Sequence, residues 1–507
     1  MSSKRSRRRG TRTTGGGART ANYQYLKNPF NPPAPYSADR IQAMHEAALD
    51  LLENKGMKIL LPEARDLFRA AGASVDEQMV YIGREIVESA LATAPKRIDA
   101  YGGAPHRQVR LQQGWINYMA GSGAPNCSDR IRGRRPGSER DWRELITLHQ
   151  HYDVLTMLGP MIEPQDVPIN LRHYVQLEAQ LTLSDKLPFG YARGQAQSLE
   201  TFELLAAYRG LDETDFRKTP SIYTIVNTNS PRQLDKPMAQ GLIDYARYGQ
   251  IGVVTPFCLM GAMAPVTIAG ALVLSHAEAL SAIALMQLAK PGAASVYGAF
   301  VSNVDMRSGS PAFGTPEQVQ ANLVAGQMAR LIGLPWRCAS GSAANANDAQ
   351  AAHETQAGSW GATLAGCSML IHSAGWLEGG LVQSYEKMLT DLDMVMLLAE
   401  LCREVPEDDG DLALDALDTI EPGGHFFAAE HTMQRYQSAF HTPQLSDWSN
   451  HGAWEDAGSK TVDERATERW QALLANPKSP ELMEGRVEEL RARIAQLTAN
   501  GGAAILD

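Results

Sequence analysis

The chain has 507 residues, 44% hydrophobic and 21% charged, with a formal net charge of −10. This is an ordinary soluble globular composition, long enough for one large domain with additions rather than a single small one. The acidic balance argues against a nucleic-acid partner, and no apolar run stands out at the ~20 residues of a membrane span.

Residues 1–35 read as a basic tail and linker. The first twenty carry seven Lys/Arg and no acid. They lack the apolar stretch that export requires, so they read as a disordered tail or as a docking arm for an acidic partner. Without them the rest of the chain is more acidic still, which suits cationic small molecules.

Residues 36–110 read as a small, mainly helical N-terminal domain. Ile41, Met44, Ala48, Leu51 and Leu52 recur at helical spacing before Gly56. Further helices are predicted at 61–71 and 84–93, with a short strand at 79–82.

From residue 111 to 405 short apolar runs alternate with long amphipathic ones. Strands are predicted at 116–120, 154–162, 188–192, 221–226, 252–257, 295–300, 336–339 and 369–372. Helices are predicted at 140–151, 168–184, 195–209, 231–248, 265–289, 316–332, 347–366 and 383–401. Eight strand–helix pairs point to an α/β protein built as a (β/α)8 TIM barrel. Thr315-Pro316-Glu317 gives a cap, an N1 proline and an early carboxylate in order. An open doubly wound sheet would show a Gly-rich phosphate turn, and GSGAP at 121–125 matches that poorly.

Residues 406–507 read as a C-terminal helical extension. It begins with an acidic linker, passes a His- and Trp-containing segment and ends on a charged helix at 479–499. The five cysteines are dispersed, with no CxxC. A reduced, cytoplasmic protein without zinc is expected.

Chemistry is concentrated at predicted strand ends, where a barrel builds its site. Arg337 offers a planar fork for a carboxylate, or pairs with an acid such as Glu354. His372 follows an apolar run and is either a satisfied core histidine or a site residue. Phe257, Tyr297, Phe300, Trp336 and Trp376 offer aromatic faces to a cation, or simply pack. Asn227 and Asn229 either orient substrate or cap the helix predicted from Pro231. There is no Ser-His-Asp order, no HExxH and no clean Cys–His pair. No catalytic acid or base is assigned.

The motifs PWRCASG, DAQAAHE and HSAGWLEGG between 335 and 380 resemble the corrinoid-dependent quaternary and tertiary amine methyltransferases of the trimethylamine methyltransferase superfamily. GAMAPVTIAGALVLSHAEAL at 261–280 and VDMRSGSPAFGTPE at 304–317 resemble it too. The resemblance implies methyl transfer from an amine to Co(I) of a corrinoid (cobalamin) held by a separate small protein. It implies that Arg337 and His372 hold a carboxylate, as in the glycine betaine branch. It also implies a corrinoid-facing rim, assigned to Gly261, Ala264 and Pro265 with Asn229 and Asp305. The pyrrolysine of the trimethylamine enzymes has no counterpart here, since residues 340–347 are only Ser, Gly, Ala and Asn. A quaternary amine such as glycine betaine is therefore favoured, and a homo-oligomer is expected. The alternatives are a tetrahydrofolate-linked betaine demethylase of the same superfamily and a barrel that only binds betaines.

Overall fold

The computed structural model describes residues 23–121, 123–405, 409–483 and 485–505. The basic tail up to residue 22 and the acidic residues 406–408 lie outside the described residues.

The fold is mixed α/β, built on a curled parallel sheet. Six strands pair in the order Asn117–Tyr118, Met369–Ile371, Trp336–Ala339, Ser295–Gly298, Ile251–Val254 and Tyr223–Val226. Single parallel bridges, Tyr118–Leu155, Met157–Leu187 and Phe189–Tyr223, run between the two edge strands. They pass through the segments expected as strands at 154–162 and 188–192.

Alternation along each strand sorts side chains into two layers. Tyr223, Ile251, Val253, Val296, Ala339, Met369 and Ile371 share one apolar cluster inside the curl. Val254, Tyr297, Trp336, Cys338 and Leu370 share another with the surrounding helices. Those helices are Glu139–Gln150, Arg172–Leu183, Gln195–Arg209, Lys236–Arg247, Ile268–Ala289, Pro316–Ile332, Ala349–Leu364 and Tyr385–Leu401. Side chains cap six of them: Ser138, Asp235, Thr267, Thr315, Asp348 and Ser384 each accept a backbone N–H of the first turn.

Four elements differ from expectation. The strands expected at 252–257 and 295–300 each break and resume. Their continuations, Phe257–Met260 and Phe300–Val304, pair in parallel as a separate small sheet. Pro256 lacks a ladder N–H, and its carbonyl is taken by the Phe300 N–H at 3.2 Å. The helix expected from Pro231 starts at Lys236, because Gln233–Leu234 pairs in parallel with Met57–Ile59. The final helix is shorter than expected, Arg486–Ala499.

The helix Ile268–Ala289 corrects the reading of apolar runs: by length and composition it could cross a membrane. It is instead buried in the protein, and its apolar window is 78% covered. The helices Ala38–Asn54 and Arg84–Thr93 pack on it, and His45 Nδ1 meets its His276 Nε2 at 2.9 Å. All five cysteines are buried free thiols.

Candidate functional site

A cavity of about 400 Å³ opens at the carboxyl ends of the strands. Arg337 lies deep in its wall. It is an inward residue of the Trp336–Ala339 strand, in register with Gly298, and is only 2% exposed. Its Nη2–H donates to His372 Nε2 at 3.2 Å. Nε and Nη1 have no hydrogen-bond partner among the described residues. The guanidinium lies over the Phe300 ring, 5.2 Å from its centroid. Burial pulls its pKa down to about 9. Glu354 does not pair with it: that carboxylate accepts from Ser342 Oγ at 2.7 Å and Ala343 N–H at 2.8 Å, fixing the neighbouring loop.

His372 reaches the cavity by a backbone device. Strand alternation would point it outward beside Leu370. At φ +60 it adopts the left-handed region, uncommon for a residue with a Cβ, and its ring lines the cavity together with Ile371. Its Nδ1–H donates to the Gly121 carbonyl at 2.5 Å. That fixes the tautomer and leaves Nε2 as the acceptor for Arg337. Burial, and then the Arg337 charge, hold its pKa well below the ordinary histidine value, so the ring is neutral.

Aromatic rings complete the wall. Trp376 meets the His372 ring edge-on at 4.0 Å between centroids and Phe300 at 6.0 Å. Phe257 lies 4.8 Å from Phe300. A Cβ on Gly380 would stand 2.6 Å from the indole of Trp376, so the 378–380 turn clamps that ring. Asn227 also lines the cavity.

Arg337, His372, Phe257, Phe300, Trp376 and Asn227 thus come together. Tyr297 and Trp336 do not, which corrects the expectation. They are paired in register and both face the helices. Tyr297 Oη bonds His276 Nδ1 at 3.0 Å, and Trp336 Nε1–H donates to the Gly366 carbonyl at 2.8 Å. Asn229 is corrected too: it holds the turn before Asp235, its Oδ1 accepting the Asp235 N–H at 3.0 Å.

Phe189, Tyr191 and Arg193 line the cavity but were not singled out from the sequence. Their spacing by two at the end of a predicted strand was the available signal. Arg193 lies over the Tyr191 ring at 4.2 Å and pairs with Glu163.

The expected rim splits. Gly261, Ala264 and Pro265 lie past the end of the Phe257–Met260 strand, and Asp305 past Phe300–Val304. The two loops touch, since a Cβ on Gly261 would stand 3.0 Å from Met306. Asp305 closes its own loop, accepting from Ser308 Oγ at 2.7 Å and from the Arg307 N–H at 3.2 Å. Val266 and Met306 are exposed here, and Met306 stands between the exposed Asp305 and Arg307. Among the described residues no group of three His, Cys, Asp or Glu side chains could hold a metal ion.

Residues 2–502 match the trimethylamine methyltransferase (MTTB) family profile. The chain belongs to that family. It is 32% identical over 460 residues to the glycine betaine methyltransferase of Desulfitobacterium hafniense (strain Y51), covering 90% of this chain and 96% of that one. It is 28% identical over 477 residues to the trimethylamine methyltransferase MttB of Desulfitobacterium hafniense (strain DSM 10664 / DCB-2), covering 93% and 95%. The fold also resembles the monomethylamine methyltransferase MtmB of Methanosarcina barkeri, with a TM-score of 0.50 at 11% identity over 93% of this chain and 89% of that one. This trimethylamine methyltransferase family member is therefore an amine methyltransferase.

Proposed function

We propose that this family member demethylates a betaine, a quaternary ammonium that carries a carboxylate, with glycine betaine as the reference substrate. The observation that carries the reading is Arg337: two buried guanidinium nitrogens, Nε and Nη1, without acceptors among the described residues at the wall of an aromatic cavity. A carboxylate supplies the missing acceptors. Phe257, Phe300 and Trp376 then offer ring faces to the ammonium. The methyl acceptor is the Co(I) of a corrinoid held by a small partner protein, which when bound supplies the strong nucleophile this reaction needs. Nitrogen keeps the electron pair of the broken C–N bond and leaves as a neutral tertiary amine, so no general acid is required. The protein's own contribution is binding, orientation and exclusion of water.

The scaffold for this reading is a closed (β/α)8 barrel in the cytoplasm, with residues 36–110 leading in and 406–507 extending it. The single bridges across 155–157 and 187–189 support the closure. The loop Ser340–Asn347 carries only small and amide side chains, which supports chemistry without pyrrolysine.

A binding screen by calorimetry over glycine betaine, proline betaine, carnitine, choline and trimethylamine tests the reading. Carboxylate-bearing ligands are expected to bind and choline and trimethylamine to bind far more weakly. Equal affinity for choline and glycine betaine would refute it.

A further inference from the structure

Residues 409–448 form an excursion that buries almost nothing of its own. It departs after the helix Tyr385–Leu401 and returns to that same helix: the Asp393 carboxylate accepts the N–H groups of Gln444, Leu445 and Ser446 at 2.8–3.0 Å. Between these anchors the short helices Leu414–Asp418 and Glu430–Arg435 contain no buried residue. Nine large apolar side chains in the excursion are exposed, among them Phe427 at 83%, Phe440 at 81% and Trp448 at 75%. An open groove of about 500 Å³ runs between the two short helices, lined in part by Leu414, Ala416 and Ala429.

So dense a run of exposed large apolar side chains marks an interaction surface. At about 150–250 Å² for a full aromatic side chain, the five rings alone offer roughly 650 Å². The four aliphatic side chains bring this above the ~800 Å² that each partner gives to a stable interface.

A second apolar surface lies at the root. Leu397 and Leu401, one turn apart on the helix from which the excursion departs, are 42% and 44% exposed. One chain thus carries an apolar arm and an apolar root that do not cover each other. Two copies related by a twofold axis can cover both, arm on root and root on arm, as a self-complementary interface requires.

We propose that residues 409–448 are an exchange arm that packs on the Leu397–Leu401 face of a second copy of the chain. Light scattering of the full chain should give at least twice the 55.2 kDa chain mass. Phe427→Asp with Phe440→Asp should reduce it to one chain mass, as should Leu397→Asp with Leu401→Asp. Mixing the arm variant with the root variant should restore a two-chain species, because each pair keeps one intact arm and one intact root. Hydrogen exchange on the unmodified protein is independent of variant folding: arm amides should be protected when associated and lose protection on dilution. A one-chain mass for the unmodified protein would overturn the proposal and leave the arm to a foreign partner. So would a two-chain mass that survives both variants, or rapid exchange throughout the arm in the associated state.

Discussion

A buried guanidinium with two nitrogens that lack acceptors among the described residues is costly unless an anion completes it. Charge-assisted hydrogen bonds contribute about 1.5–3 kcal/mol each. Arg337→Ala should therefore weaken glycine betaine binding at least about tenfold, at ~1.4 kcal/mol per decade. Arg337→Lys should rescue only part, since a point charge cannot reproduce the fork. Tetramethylammonium, with no carboxylate, should bind the three proteins alike in calorimetry. Equal losses for both ligands would make Arg337 structural. His372 gives a second test. Its pKa is held below the ordinary value of 6.5, so the neutral ring persists as pH falls through that value, and betaine affinity should stay level from about pH 6 to 8. A break centred near 6.5 would mean that the ring titrates normally. The same depressed pKa makes the unfolded state bind the extra proton first, so stability contributed by the neutral ring declines as pH falls below 6.5. Arg337 was legible in the sequence because an arginine inside an apolar strand run stands out. The inward turn of His372 was not, since it depends on a left-handed backbone angle that no side-chain pattern records.

At the scale of elements, the site rests on the loop between the Met369–Ile371 strand and the Tyr385–Leu401 helix. Asp391 on that helix accepts the Gly375 N–H at 2.9 Å and pairs with the buried Lys387, whose Nζ also donates to Thr355 Oγ1 at 2.9 Å. Lys387→Met would leave a buried carboxylate without its cation. Such a break costs about 3–5 kcal/mol, moderated here because burial already raises the Asp391 pKa. Urea denaturation should show a large loss of stability, whereas an unchanged midpoint would mean that the pair is dispensable. Most elements could be read from periodicity and caps. The strands at 154–162 and 188–192 were legible as apolar runs, yet only single bridges tie them to their neighbours. The breaks at Pro256 and at 299 were missed because both halves of each run are apolar, and only the missing proline N–H marks the first. Tyr297 and Trp336 were misjudged for a related reason. A continuous apolar strand buried on both faces hides its own alternation, so the register that sends both rings outward appears only with the pairing.

For the whole molecule, cavity and rim face the same way. The surface around Gly261, Val266 and Met306 lies one short strand beyond Phe257 and Phe300. Val266→Asp with Met306→Asp should raise the KM for a corrinoid protein severalfold while leaving transfer to free cobalamin unchanged. Loss of both would place these residues in the site itself. The sequence carried the family resemblance along most of its length, but not the exposure of the C-terminal arm, because a Phe reads the same whether it is buried or waiting for a partner.

Betaine demethylation is tested most directly by a spectroscopic assay of methyl transfer from glycine betaine to Co(I) cobalamin, run with the unmodified protein and with Arg337→Ala. The Co(I) absorbance should convert only with betaine present, with release of dimethylglycine, and the substitution should lower this at least about tenfold at subsaturating betaine. No conversion by pure, folded protein across the betaine series, or equal conversion by the variant, would contradict it.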